Sequence, residues 1–334
     1  MKIALSADPD EVYLQFMQQL GLKYVVSGAA ASPEGVVELE PMQRKREAFA
    51  RAGLSWDVIE NLPPLCYHQV MFGLPGRDEQ IAKVCQSIRN IARAGIEVLQ
   101  YQWMLLGGLR TEYSPTGRGG SRYPRFDMEV AERMPAAAMD WLSKSGGAPY
   151  PHLPDRDMSQ QEVRDNLVYF LERIVPVAQA EGVKLAAHPD DAPVPYYMGV
   201  GRILIDEAGL QQVIDAVPSP NNGLGFCMGT IGTMAGVNVV DAIHRFGGQQ
   251  RIFFAHFRNP RGQVPKFDEV FPDEGDIDMV AAVQMFNKVG FDGVIRIDHC
   301  PGVVGDNGRA DRSFAYQVGY LKGLVNALSD LGGK

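Results

Sequence analysis

Four side chains able to bind a metal end four successive apolar runs in the second half of the chain. They are His188 in Ala-His-Pro-Asp-Asp, Cys227 in Gly-Phe-Cys-Met-Gly-Thr, His256 in Phe-Ala-His-Phe-Arg and Asp298 in Arg-Ile-Asp-His-Cys. Imidazole, thiolate and carboxylate are common ligands of Zn²⁺, Mn²⁺ and Fe²⁺. Taken singly, each has a plainer reading. A strand-end histidine is more often hydrogen-bonded structure, a buried cysteine a small hydrophobe, and an aspartate at a strand end a helix cap. Four of them at the same place in four consecutive runs are not explained that way. The pattern predicts one divalent metal held by His188, Cys227, His256 and Asp298, with the thiol deprotonated by the ion. One sulfur among nitrogen and oxygen ligands leaves the metal open.

Other groups fall beside these ligands. His299 follows Asp298 directly, where it could act as an acid or base or cap a backbone carbonyl. Arg258 lies two residues past His256 and could bind an anionic substrate or form a surface ion pair. Asp190 and Asp191 could orient a ligand or substrate, or line a solvated turn. The segment after the fourth apolar run carries Arg110, Arg118, Arg122 and Arg125 with Tyr113 and Tyr123, and Gly117, Gly119 and Gly120 among them. That composition suits a mobile basic lid over a carboxylate-bearing substrate, and equally an exposed solvated loop. Tyr101, with Gln102 and Trp103, ends the fourth run and could contact a sugar. His68, His152 and His244 show no partner spacing and receive no role.

The four ligands converge only if their strands are parallel. Eight strand-length apolar runs are present, at 2–6, 23–27, 56–60, 96–101, 183–188, 223–227, 251–256 and 293–298. Helical signals lie between them. Asp8-Pro9-Asp10-Glu11 offers a cap, a proline at the first helical position and an acid at the third. Ser159 and Glu162 form a capping box before a run to about 179, and a last helix covers roughly 311–328. Strands alternating with helices predict a parallel α/β sheet. An open doubly wound sheet would usually carry a glycine-rich turn after its first strand, and Ser6-Ala7-Asp8-Pro9 has none. The expectation is therefore one (β/α)8 TIM barrel, xylose-isomerase-like, over residues 1–334, with the long segments after strands four and seven at the catalytic rim.

Composition narrows the partners. The chain has 334 residues, 46% hydrophobic and 22% charged, with a formal net charge of −8. That acidic balance argues against nucleic acid, which a basic face would bind, and against a multi-zinc repair nuclease. No apolar stretch reaches the roughly 18 residues of a membrane span, and the first residues lack the apolar core of a signal peptide. Cys66, Cys85, Cys227 and Cys300 are widely spaced and form no disulfide framework. A cytoplasmic protein acting on a small molecule is expected, and a homo-oligomer is allowed.

At these residues the chain resembles the mannonate dehydratase family over nearly its whole length. The shared motifs are Ala-Ala-His-Pro-Asp-Asp-Ala-Pro (186–193), Gly-Phe-Cys-Met-Gly-Thr-Ile-Gly (225–232) and Ile-Phe-Phe-Ala-His-Phe-Arg (252–258), followed by Asp276-Ile277-Asp278-Met279, Ile295-Arg296-Ile297-Asp298-His299 and Tyr320-Leu321-Lys322-Gly323-Leu324. The resemblance implies Mn²⁺ at the four ligands, with Fe²⁺ and Zn²⁺ as alternatives. It also implies loss of water from D-mannonate to give 2-keto-3-deoxy-D-gluconate in hexuronate catabolism, with His299 in the acid/base work. Two departures stand out. Counting back from Leu321, the family's catalytic tyrosine falls on Ala315, while the tyrosine here is Tyr316. The chain also lacks a helical insertion that many members carry between strands four and five. Tyr316 is taken as the second catalytic group, and Tyr101, Arg110, Arg258 and Asp190 as substrate contacts. A sugar or sugar-acid isomerase or epimerase on the same barrel, or a non-catalytic sugar-acid-binding paralogue, are the alternatives.

Overall fold

The computed structural model describes residues 1–105, 107–114, 116–134 and 157–331. Eight strands run parallel and close on themselves: β1 (Lys2–Ser6), β2 (Tyr24–Ser27), β3 (Ser55–Ile59), β4 (Val98–Gln102), β5 (Lys184–His188), β6 (Asn222–Cys227), β7 (Ile252–Phe257) and β8 (Val294–Ile297). Each pairs with its neighbours in sequence, and β8 pairs with β1. The main crossover helices are α1 (Glu11–Gln19), α2 (Leu39–Arg51), α3 (Arg77–Arg93), α4 (Gln160–Glu181), α5 (Glu207–Ala216), α6 (Val239–Gly248) and α7 (Met279–Lys288), and α8 (Asp311–Leu331) follows the last strand. The TIM barrel expected from the alternation is the fold observed. His152 lies outside the described residues.

Local chemistry sets the element ends. Ser159 accepts a hydrogen bond from Glu162 N at 3.2 Å and opens α4 as the capping box requires. Gly182, at φ +75°, closes it in the left-handed conformation that costs other residues strain. The first helix starts later than its proline suggested. Asp10 is the cap, accepting from Tyr13 N at 2.9 Å, because the Asp8 carboxylate is held by Lys45 Nζ at 2.6 Å.

Most of the hydrophobic core fills the layer between strands and helices. A smaller one, with Ala4, Val26, Val58, Val98, Ala186, Phe254 and Val294, plugs the barrel interior. Above it the interior turns polar, so the strand ends rim a mouth over an apolar floor.

The long segments after β4 and β7 are not irregular loops. They pair with each other in a four-stranded antiparallel sheet, in the order Asn259–Arg261, Lys266–Val270, Tyr123–Asp127, Glu112–Ser114. Arg125 sits opposite Asp268 and binds it with two bonds of 2.5 and 3.0 Å. Arg118 pairs with Asp273 at 2.6 Å, and Arg122 donates to Tyr113 O. The expectation of a mobile basic lid is corrected accordingly: Arg118 and Arg125 tie the segment after β4 to the segment after β7, and Arg122 braces the first of them internally.

Candidate active site

Strand alternation decides which residues enter the mouth. On β6, Phe226 packs outward on Phe286 of α7, which leaves Gly225 and Cys227 inside. On β7, Phe257 packs outward near Tyr320 of α8, and His256 points inward above Phe254. Cys227 and His256 are register partners, and His188 ends β5 on the other side of Cys227. Asp298 follows β8 directly. Cys227 also caps the short helix Met228–Gly232, where its sulfur accepts from Thr230 N at 3.4 Å and Thr230 Oγ1 at 3.2 Å.

The expected ligands do gather. His188, Cys227 and His256 form one group able to hold a metal ion, and Glu60, His256 and Asp298 form a second that shares His256. The two are continuous, since Cys227 Sγ lies 4.0 Å from Asp298 Oδ2. His188 Nδ1 is 2.7 Å from Pro189 O. A carbonyl only accepts, so Nδ1 carries the hydrogen and Nε2 keeps a lone pair for a metal. His256 is buried with neither ring nitrogen in an aligned hydrogen bond. Buried polar atoms rarely stay unpaired in a finished site.

Charge supports the same reading. Three guanidiniums, Arg110, Arg258 and Arg296, face four carboxylates, Glu60, Asp191, Glu269 and Asp298, and the Cys227 thiolate. With His256 neutral, as a metal ligand must be, that leaves a formal excess of two negative charges, which a divalent cation would balance. The protonation states follow. Burial alone would raise the Cys227 thiol, but Arg258, His188 and His256 hold it well below its usual range. Burial would lower His256, but Asp298, Cys227 and Glu60 push it up to about 10. Burial would raise Asp298, and the cations around it hold it well down.

Arg258 is the hub of this network. Its Nη2 donates to Cys227 Sγ at 3.0 Å, Thr230 Oγ1 at 2.9 Å and Asp191 Oδ2 at 3.1 Å. Its Nε lies 3.1 Å from Asp298 Oδ2, and its Nη1 pairs with Glu269. A Cβ at position 229 would collide with this guanidinium, so glycine there lets it lie against the helix backbone. Arg110 grips Asp191 with two bonds of 2.8 Å and also pairs with Glu269. Burial would raise Asp191, and these two arginines hold it far below the usual carboxylate range.

His299 stands at the mouth with half of its side chain exposed. Its Nδ1 is 2.9 Å from Glu269 Oε2, and its Nε2 is 3.8 Å from Asp298 Oδ1. Partial burial lowers its pKa, and Arg258 and Arg110 press the same way against Asp298 and Asp191. The ring is therefore neutral near pH 7, with Nδ1–H held by Glu269 and Nε2 free to take a proton. Tyr316, on α8, is 39% exposed and donates to Asp273 Oδ1 at 2.7 Å, within a rim cluster that includes Arg118 and Phe271.

Two expected substrate contacts are placed elsewhere. Tyr101 packs edge-on against Phe170 of α4, on the helix side of β4; the inward residue beside it is Gln100, which meets Gly225. Asp190 is buried with Oδ2 accepting from Ile203 N and Leu204 N at 2.9 and 2.8 Å, so it braces a loop, and Asp191 is the one that joins the arginine network. Glu60, Glu269 and Arg296 were not expected. Glu60 follows β3 on the wall opposite β7 and meets His256 only because the barrel closes. Glu269 reaches the site only through the rim sheet.

A closed parallel barrel with a buried, metal-competent polar cluster at the strand ends defines a xylose-isomerase-like TIM-barrel enzyme. The xylose isomerase domain protein of Planctomyces limnophilus shares this fold, with a TM-score of 0.58 at 14% identity over 99% of this chain and 98% of that one. Much nearer is the mannonate dehydratase of Streptococcus suis serotype 2, with a TM-score of 0.88 at 27% identity, covering 100% of this chain and 96% of the other. The mannonate dehydratase of Thermotoga neapolitana is 31% identical over 347 residues, covering 96% of this chain and 95% of the relative. A family profile described as D-mannonate dehydratase (UxuA) matches residues 1–332. The chain belongs to the D-mannonate dehydratase family, whose members are hydro-lyases.

Proposed function

We propose that this protein removes water from D-mannonate to give 2-keto-3-deoxy-D-gluconate, with Mn²⁺ as the metal and hexuronate breakdown as the setting. The observation that carries the reading is the pairing of the metal-competent cluster with a neutral, Glu269-anchored His299 directly beside it. His188, Cys227, His256 and Asp298 would hold the ion. A divalent metal bound there would draw charge from the substrate's carboxylate and make the neighbouring C2 proton more acidic.

The chain's own groups supply the rest. Arg258 and Arg110 give positive charge for the sugar acid, although each is already shared with Asp191 and Glu269. His299 takes the C2 proton on Nε2 while Glu269 holds the opposite nitrogen, the arrangement that fixes a base in one tautomer. Tyr316 gives a proton to the departing C3 hydroxyl. Its hydroxyl is bonded to Asp273 in this structure and must be released to do so.

The test is a panel of aldonates incubated with the Mn²⁺-loaded protein, with and without chelator, read by product mass. A product lighter than D-mannonate by one water, lost on chelation, is expected. A product of unchanged mass would replace dehydration with isomerisation or epimerisation. Binding without turnover would leave a sugar-acid-binding protein.

A further inference from the structure

We infer that Glu60 is a positioning residue that fixes how His256 presents itself to the metal, an inference resting on the metal site proposed above. Glu60 comes from β3 and His256 from β7, on opposite walls of the barrel. Their side chains nonetheless meet, with Glu60 Oε1 3.0 Å from His256 Nε2. The other ring nitrogen faces the expected ligands, with Nδ1 3.6 Å from Asp298 Oδ2. Two donors sharing one tetrahedral ion at about 2.1 Å each stand roughly 3.4 Å apart. The Nδ1–Oδ2 spacing fits shared coordination. The Nε2–Oε1 spacing fits a hydrogen bond, once the ring turns slightly into line.

Arg296 completes the device. Its Nη1 lies 2.9 Å from Glu60 Oε1 in an ion pair and donates to Asp298 Oδ1 at 2.7 Å. One guanidinium thus holds both carboxylates and occupies the Asp298 oxygen that faces away from His256. The remaining oxygen, Oδ2, is the one near Cys227 and His256. The structure therefore assigns donor atoms as well as residues: His188 Nε2, Cys227 Sγ, His256 Nδ1 and Asp298 Oδ2. The two histidines use opposite nitrogens because a backbone carbonyl claims Nδ1 of one and a carboxylate claims Nε2 of the other.

The test uses Zn²⁺-loaded protein with ¹⁵N-labelled histidine, together with metal affinity by competition titration. In the wild type, long-range ¹⁵N–¹H spectra should show His256 bound through Nδ1 and protonated on Nε2, and His188 the reverse. Glu60→Gln should weaken Zn²⁺ binding about 10- to 100-fold and move the Nε2–H resonance of His256, while one ion per chain still binds at saturation. If Glu60→Gln fails to fold, Glu60→Asp keeps the charge beside Arg296 but shortens the reach to His256, and should show the same loss. His256 bound through Nε2, or affinity unchanged in the folded variant, overturns the inference. A wild-type protein that binds no Zn²⁺ overturns the metal site itself, a separate and recognisable failure.

Discussion

Replacing Arg258 by methionine removes the charge at the centre of the site and keeps a side chain of similar length. Arg258 is buried against Asp191, Glu269, Asp298 and Cys227. Removing one partner of a buried ion pair typically costs about 3–5 kcal/mol, because it strands the opposite charge. Unfolding entropy of about 2.1 cal/mol/K per residue, over 334 residues, is about 0.7 kcal/mol/K. The metal-free Arg258→Met protein should therefore melt about 4–7 °C below wild type. The same change deepens the negative excess facing a metal from two charges to three. Adding Mn²⁺ should raise the melting temperature of the variant by more than it raises that of wild type. Paired calorimetric scans with and without Mn²⁺ measure both effects. A metal-free drop under about 1 °C, or a smaller metal-induced gain in the variant, would refute the claim that Arg258 balances this cluster.

Three further outcomes follow from the same geometry. His299→Ala should abolish turnover of D-mannonate and leave one bound metal per chain, since His299 sits beside the ligands without being one; retained activity removes it from the reaction. Tyr316→Phe should lower kcat on the order of 100-fold or more if its hydroxyl is the acid, with little change in KM; an unchanged kcat leaves Tyr316 as only a rim contact to Asp273. Metal affinity should rise with pH by about tenfold per unit from pH 7 to 9. Without metal His256 stays protonated up to about 10, so an ion must displace that proton, whereas the Cys227 thiol is already ionised. Affinity flat across that window, or no proton release in calorimetry with two buffers, would show that His256 is not displaced.

The barrel was legible because its signal is local and repeated. Each strand reads as a short apolar run bounded by helix caps, and the eight runs appear within a few residues of their observed bounds. The convergence of His188, Cys227, His256 and Asp298 was legible because parallel strands carry their C-terminal ends to one rim. What failed was parity. Tyr101 lies next to an inward position, and one residue is enough to turn a side chain into the helix layer. Asp190 lies past the end of β5, where alternation no longer applies, and two backbone amides claimed it before the site could. Glu60 carries no meaning by itself until closure sets β3 across from β7. Glu269 and the rim arginines were illegible for another reason. Their roles depend on pairing between segments more than 100 positions apart, as between Arg125 and Asp268, and no spacing within either segment announces it.

The central claim is a single metal held by one residue from each of the last four strands. An anomalous-difference map from crystals grown with Mn²⁺, collected on both sides of the manganese edge, tests it most directly. One peak within bonding distance of His188, Cys227, His256 and Asp298, with Glu60 outside that shell, is the predicted result. A peak bound by Glu60 in place of Cys227, or no peak in crystals saturated with Mn²⁺, would contradict it.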